Sequence, residues 1–282
     1  MSVSTTDGAI EGRHGPVAIR TYRSDHEVVG TTPLVWLHGG AFSYGGLDQL
    51  ESDAPAERMA DAGRTVVTVD YHRVGPWNPF RDPKEETLTG VRFPVPFQDV
   101  LDVVAEVARE TPRRAVLLGG ASAGACLAAA AAMDRVRAGD PIVSGLVLAY
   151  GTFHAALPPV RDDVRQRIRG LHGIKQFRPS TVHRMNLNYA GSRAAMGDPR
   201  AFPGGHDPAG LPPTLLLDAD RDSLRASGTA FADELRRAGV DVEHTVVPGS
   251  RHGFLDRPGK PDFDAGTALV LAWLQQIDGG RP

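Results

Sequence analysis

The chain has 282 residues, of which 31 are Lys or Arg and 34 Asp or Glu, and hydrophobic residues make up 41%, the balance of a soluble globular protein with a sizeable core. A formal net charge of −3 leaves no concentrated basic face for nucleic acid or an anionic membrane, and a single cysteine, Cys126, excludes a disulfide framework and every multi-cysteine metal motif. No apolar run reaches the roughly 18 residues of a membrane span, and Met1–Gly12 has neither the basic nor the apolar region of a signal peptide, so a cytoplasmic location is the expectation.

Along the chain, short apolar runs alternate with helical patterns, as in βαβ units around a mostly parallel sheet flanked by helices. The first expected strands are Ala18–Tyr22, Leu34–His38 and Val66–Asp70. Gly75–Arg92, rich in proline and charge, reads as a loop. Phe97, Val100, Leu101, Val104, Val107 and Ala108 then recur at helical spacing, with Pro112 beyond the end. A strand at Ala115–Leu118 runs into an alanine-rich helix, Ala123–Arg137, with Gly139 at its C-cap position. Later strands are Leu146–Tyr150, Thr214–Asp218 and Glu243–Val247, with helices at Ser227–Ala238 and Phe263–Ile277. Val116-Leu117-Leu118 and Leu215-Leu216-Leu217 are continuous apolar runs, as strands covered on both faces require. Phe153–Pro213 breaks the alternation. It holds two short helical patterns, Val160–Leu171 and Pro179–Tyr189, among scattered prolines. An insertion of about 60 residues in an α/β domain is expected to cap a site. The organisation expected is one α/β domain over 1–282, with a helical cap after the sixth strand region at about 153–213 and an inserted loop at about 77–92.

Gly120-Ala121-Ser122-Ala123-Gly124 matches G-x-S-x-G between a strand and a helix. A sharp strand-to-helix turn strains the backbone at the serine and needs small neighbours, and every flanking position here is Gly or Ala. The turn also sets Ser122 at a helix N-terminus, where N–H groups favour developing negative charge. The bland alternative is a glycine-rich packing or phosphate turn. His38-Gly39-Gly40-Ala41-Phe42 follows an early strand and can aim bare N–H groups at an oxyanion, or it is an ordinary βα turn. A serine nucleophile needs a base and an orienting carboxylate. Asp222 and His252 follow the strands where the order Ser, Asp, His requires them, with Asp218 and Asp220 as rival carboxylates.

On these motifs the chain resembles the α/β-hydrolase fold, and within it the hormone-sensitive-lipase family of esterases. His38–Phe42 resembles that family's H-G-G-G motif and Gly120–Gly124 its G-D-S-A-G elbow. Asp222-Ser223-Leu224-Arg225 resembles its D-P-L-R motif, and His252-Gly253-Phe254 its H-G-F motif. Tyr71–Pro76, Phe93-Pro94 and Asp99 resemble pieces of its Y-R-L-A-P-E…F-P…D stretch. Ala41 stands for a third glycine, Ala121 for the usual Asp, and Trp77 for an acidic residue, while roughly 13 extra residues follow Pro76, as in long functional loops. The stretch before the first strand is short for the family's N-terminal cap helices, leaving the lid to Phe153–Pro213.

Ser122 is accordingly assigned as nucleophile, His252 as base and then acid, and Asp222 as the carboxylate that orients the imidazole. The resemblance implies oxyanion donors at Gly40, Ala41 and Ala123, on a loop with His38 and Gly39. Phe42, Tyr44, Trp77 and His154 are candidates for the acyl pocket. His72, His172, His183, His206 and His244 show no ligand spacing, so no metal and no cofactor is expected. Cys126 reads as a small buried hydrophobe. The expected activity is hydrolysis of short to medium acyl esters of small molecules through an acyl-enzyme. Amide, lactone or deacetylating hydrolysis of a specific small molecule is the alternative, and a non-catalytic ligand-binding protein on the same fold the weaker one. The edge strand and last helix of this fold leave a homodimer open.

Overall fold

A computed structural model describes residues 2–170 and 176–279. Eight strands form one sheet: β1 (Val3–Gly12), β2 (Gly15–Ser24), β3 (Leu34–Leu37), β4 (Val66–Asp70), β5 (Val116–Ala121), β6 (Val143–Ala149), β7 (Thr214–Arg221) and β8 (Val242–Arg251). Their spatial order is β1-β2-β4-β3-β5-β6-β7-β8. β1 and β2 are antiparallel, and β2 is antiparallel to β4; the rest pair in parallel.

Alternate residues of the central strands enter different cores. On one face Val35, Leu118, Leu148 and Leu216 pack under α2 (Val95–Arg109), α3 (Ala123–Arg137) and α6 (Arg225–Arg237). On the other, Trp36, Leu117, Val147 and Leu217 pack under α1 (Leu50–Asp61) and α7 (Pro261–Asp278). Both faces being covered explains the unbroken apolar runs of β5 and β7. Helix α3 is alanine from Ala128 to Ala132, and every residue from Ala123 to Met133 is buried, so its small side chains let it press closely onto the sheet.

Three elements differ from expectation. β1 was not foreseen, because an edge strand of Ser, Thr and Asp, mostly exposed, carries no apolar alternation; it pairs with β2 across a hairpin at Arg13-His14. Helix α1 was also unforeseen: it carries Pro55 inside it, and its buried face is largely Ala54, Ala56 and Ala60. In the expected cap segment, which follows β6, the helices are α4 (Asp162–Arg167) and α5 (Pro179–Ala190). The end of the expected 160–171 helix and His172 lie outside the described residues. Among the described residues no helix is long and apolar enough to cross a membrane.

Candidate active site

The parallel register of β5 to β8 brings the turns after these strands to the carboxyl edge of the sheet, the usual place for ligands in such folds. Ser122 follows β5 with φ 54° and ψ −113°, a sparsely populated positive-φ conformation that costs a non-glycine residue about 1–3 kcal/mol. Its surroundings enforce it. Ser122 N–H donates to the carbonyl of Ala149 at 2.8 Å, and the neighbouring glycines admit no side chain. A Cβ at Gly124 would lie 2.3 Å from the carbonyl oxygen of Leu37, and one at Gly120 would lie 2.6 Å from the backbone of Gly124.

Ser122 Oγ and His252 Nε2 are 3.1 Å apart, and His252 Nδ1 lies 2.6 Å from Asp222 Oδ2. Asp222 is buried, and its Oδ1 accepts the N–H of Leu224 at 2.9 Å. The rival carboxylates are spent elsewhere: Asp218 faces His244 at 2.7 Å, and Asp220 is paired with Arg167 and accepts the N–H of Gly249. Burial of the His252 ring disfavours its charged form, but the charge and hydrogen bond of Asp222, with the charge of Glu51, outweigh it and raise the imidazole above its ordinary value. The loop bearing Asp222 is fastened to the chain ahead of α5, since Ser223 donates from N–H to Gln176 Oε1 and from Oγ to the carbonyl of Phe177. Phe177 then stands edge-on to His252, with ring centroids 4.9 Å apart.

The expected oxyanion loop follows β3 and lies beside the elbow. Gly40, Ala41 and Phe42 have φ of 111°, 54° and 61°. Among the described residues the N–H groups of Gly40, Ala41 and Ala123 meet no protein acceptor, which leaves three donors available to an oxyanion. Gly39 N–H is taken. It donates to Glu51 Oε2 at 2.9 Å, and the stacked rings of His38 and Tyr71, with Tyr71 Oη donating to the His38 carbonyl, back the loop.

Glu51 was missed in the sequence. It lies on α1, is buried, and receives Gly39 N–H and Gln49 Nε2 on one oxygen and the Tyr150 hydroxyl, at 2.7 Å, on the other. The Tyr150 ring meets that of His252 edge-on, with centroids 5.1 Å apart. Burial pushes the Glu51 carboxyl up, while Tyr150, His252 and Gly39 pull it back. One carboxylate thus bridges the loop after β3 and the Tyr150 ring that stands edge-on to His252. The only sequence signal was an acidic residue in a run of small residues, and nothing there separates Glu51 from the neighbouring Asp53.

Of the four expected pocket residues, the structure brings only Trp77 to the apolar flank of the triad. It packs with Ala41, Leu157 and Phe177 on buried Val182, Met185 and Leu224. Phe42 turns into the core, stacked on Tyr189 with centroids 3.9 Å apart. Tyr44 is half exposed and lines a separate groove with Arg20, Asp48 and Arg73. His154 is held between Ser227 and Glu234 of α6, a structural role. His72 bonds buried Asp99 through both its N–H and its ring. Among the described residues no group of three or more His, Cys, Asp or Glu is placed to hold a metal ion.

The chain belongs to the alpha/beta hydrolase fold family, whose model matches residues 34–256, as the motif resemblance expected. It is similar to the carboxylesterase NlhH of Mycobacterium tuberculosis, 31% identical over 79% of this chain and 66% of that one. It is 29% identical to the ethyl acetate hydrolase of Pseudomonas putida over 98% of this chain and 81% of the relative. Among solved structures, an esterase of Pyrobaculum calidifontis superposes with a TM-score of 0.80 at 26% identity, covering 98% of this chain and 85% of the other.

Proposed function

We propose that the chain is a serine carboxylester hydrolase acting on short to medium acyl esters of small molecules. The observation that carries this reading is the hydrogen-bonded series Asp222–His252–Ser122 beside three N–H groups that meet no acceptor among the described residues. Ser122 Oγ attacks the ester carbonyl as His252 Nε2 takes its proton, and Asp222 stabilises the imidazolium while holding the ring in the right tautomer. The N–H groups of Gly40, Ala41 and Ala123 receive the oxyanion, where one donor is worth about 3 kcal/mol. The imidazolium then protonates the leaving alcohol, and the acyl group stays on Ser122. Water, deprotonated by His252, releases the acid and restores the serine. Glu51 positions the machinery without touching substrate. By accepting Gly39 N–H it holds the loop so that the next two N–H groups point free.

The relatives' names support ester hydrolysis. The segment 153–213 supplies Leu157, Phe177, Val182 and Met185 to the apolar flank, which supports reading it as the cap of a single domain. A buried lone thiol suits a cytoplasmic location. A homodimer through β8 and α7 is read by sedimentation. The test of function is hydrolysis of p-nitrophenyl esters from acetate to decanoate beside Ser122→Ala: turnover should fade with acyl length and vanish in the variant. A folded protein inert on every ester would move the reading to amide, lactone or deacetylating hydrolysis.

A further inference from the structure

The inserted loop after Pro76 builds a cleft of about 400 Å³ whose walls include Trp77, Arg81, Lys84, Arg92 and Asn188. Its one acidic lining residue, Asp82, is occupied by Arg184, 2.6 Å away. Glu85 of the same loop faces Arg193 instead. Among the described residues Arg92 pairs with no carboxylate. Its Nη1 donates to the carbonyl of Val91, its own neighbour, at 2.7 Å, and its Nε is buried with no partner. Burial holds this guanidinium below the ordinary arginine value. Trp77 Nε1, on the same cleft, is likewise buried without a partner. These two atoms are closed off from solvent, so what the cleft offers an incoming ligand is the charge of Arg81, Lys84 and the guanidinium end of Arg92, set against a single carboxylate that Arg184 already engages.

The cleft shares a wall with the reaction centre. Trp77 also packs on the apolar cluster that includes Ala41 of the oxyanion loop and Phe177, the ring against His252. Asn188, at the junction, donates to the carbonyl of Gly75 at 2.8 Å. We propose that this cleft binds a carboxylate carried by the substrate, so that the preferred esters are anionic. The proposal rests on the hydrolase reading above and names its substrate class. A guanidinium offers parallel donors matched to the two oxygens of a carboxylate. Exposed Arg81 and Lys84 draw anions toward the mouth. A purely neutral ester leaves all of these unmet.

The test uses two matched sets of esters. Monomethyl succinate, glutarate and adipate are compared with methyl esters of neutral acyl chains of equal length, and 4-acetoxybenzoate with 4-acetoxybenzamide. Hydrolysis of p-nitrophenyl acetate is measured alongside. In at least one set the carboxylate-bearing ester should show kcat/KM roughly tenfold above its neutral partner. That ratio should fall toward one in Arg92→Gln and shrink with added salt. Ratios near one throughout, with p-nitrophenyl acetate still turned over, would overturn the carboxylate cleft and leave the hydrolase reading standing. No turnover of p-nitrophenyl acetate would remove both. Should Arg92→Gln not fold, the exposed pair Arg81→Ser and Lys84→Ser reads the same ratio. In the unmodified protein adipate should inhibit p-nitrophenyl acetate hydrolysis competitively and adipamide should not; equal inhibition by the two would contradict the proposal.

Discussion

Replacing Glu51 by Gln separates charge from shape at the back of the site. The amide oxygen can still accept Gly39 N–H, and the amide nitrogen can donate to the Tyr150 hydroxyl, so the loop keeps its anchor and only the negative charge goes. Glu51 reaches His252 across one phenol ring, 2.7 Å to the hydroxyl and 5.1 Å between ring centroids. With about 3 Å from the hydroxyl to its own ring centre, the charges lie at most about 10–11 Å apart, which at an effective dielectric of about 20 to 40 is about 0.8–1.6 kcal/mol, close to one pKa unit. Since the charge of Glu51 raises His252, its loss lowers the imidazole value. Catalysis needs the neutral ring, so activity is lost as pH falls through that value. The acid limb of kcat/KM should therefore move to lower pH by about one unit in Glu51→Gln. The assay is kcat/KM for p-nitrophenyl acetate from pH 5 to 9, with circular dichroism to confirm the fold. Superimposable acid limbs would refute the electrostatic link. A limb that moves upward would refute its sign.

Other outcomes follow from the same geometry. Asp222→Asn should leave the fold intact and lower kcat by about 10⁴, because the imidazole is then held in the wrong tautomer; a loss under tenfold would favour Asp220 as the orienting group. Gly39→Ala places a Cβ 2.1 Å from Glu51 Oε2 and 3.1 Å from Ser122 Cβ, so the carboxylate must leave its N–H, and thermal unfolding should register about 1–3 kcal/mol of destabilisation together with lost activity. Burial pushes the Cys126 thiol up, so a thiol reagent should neither label the native protein nor slow it; rapid labelling would show that α3 does not pack as described.

The hydrogen-bonded series Asp222–His252–Ser122 was legible because each residue sits in a turn with its own signature directly after a strand, apolar in β5 and at the start of β7 and only partly so in β8. Ser122 lies between glycines that no side chain could replace, and Asp222 and His252 follow β7 and β8. The strand interiors were legible because burial on both faces writes an unbroken apolar run. What stayed hidden depended on tertiary partners. β1 is held by backbone pairing to β2 and shows almost no hydrophobic pattern. Glu51 reads as one more surface acid until β3, the oxyanion loop and Tyr150 close over it. Phe42 and His154 were expected at the pocket from their chain position alone. The backbone turn at φ 61° sends Phe42 inward onto Tyr189, and α6 claims His154 through Ser227 and Glu234.

The central claim is that Ser122 is a nucleophile activated by His252. Its most direct test is labelling with a fluorophosphonate, followed by intact-protein mass spectrometry and peptide mapping. One adduct should form, on Ser122, and His252→Ala should label slower by several orders of magnitude. A folded protein that stays unlabelled, or one labelled at another residue, would contradict the account.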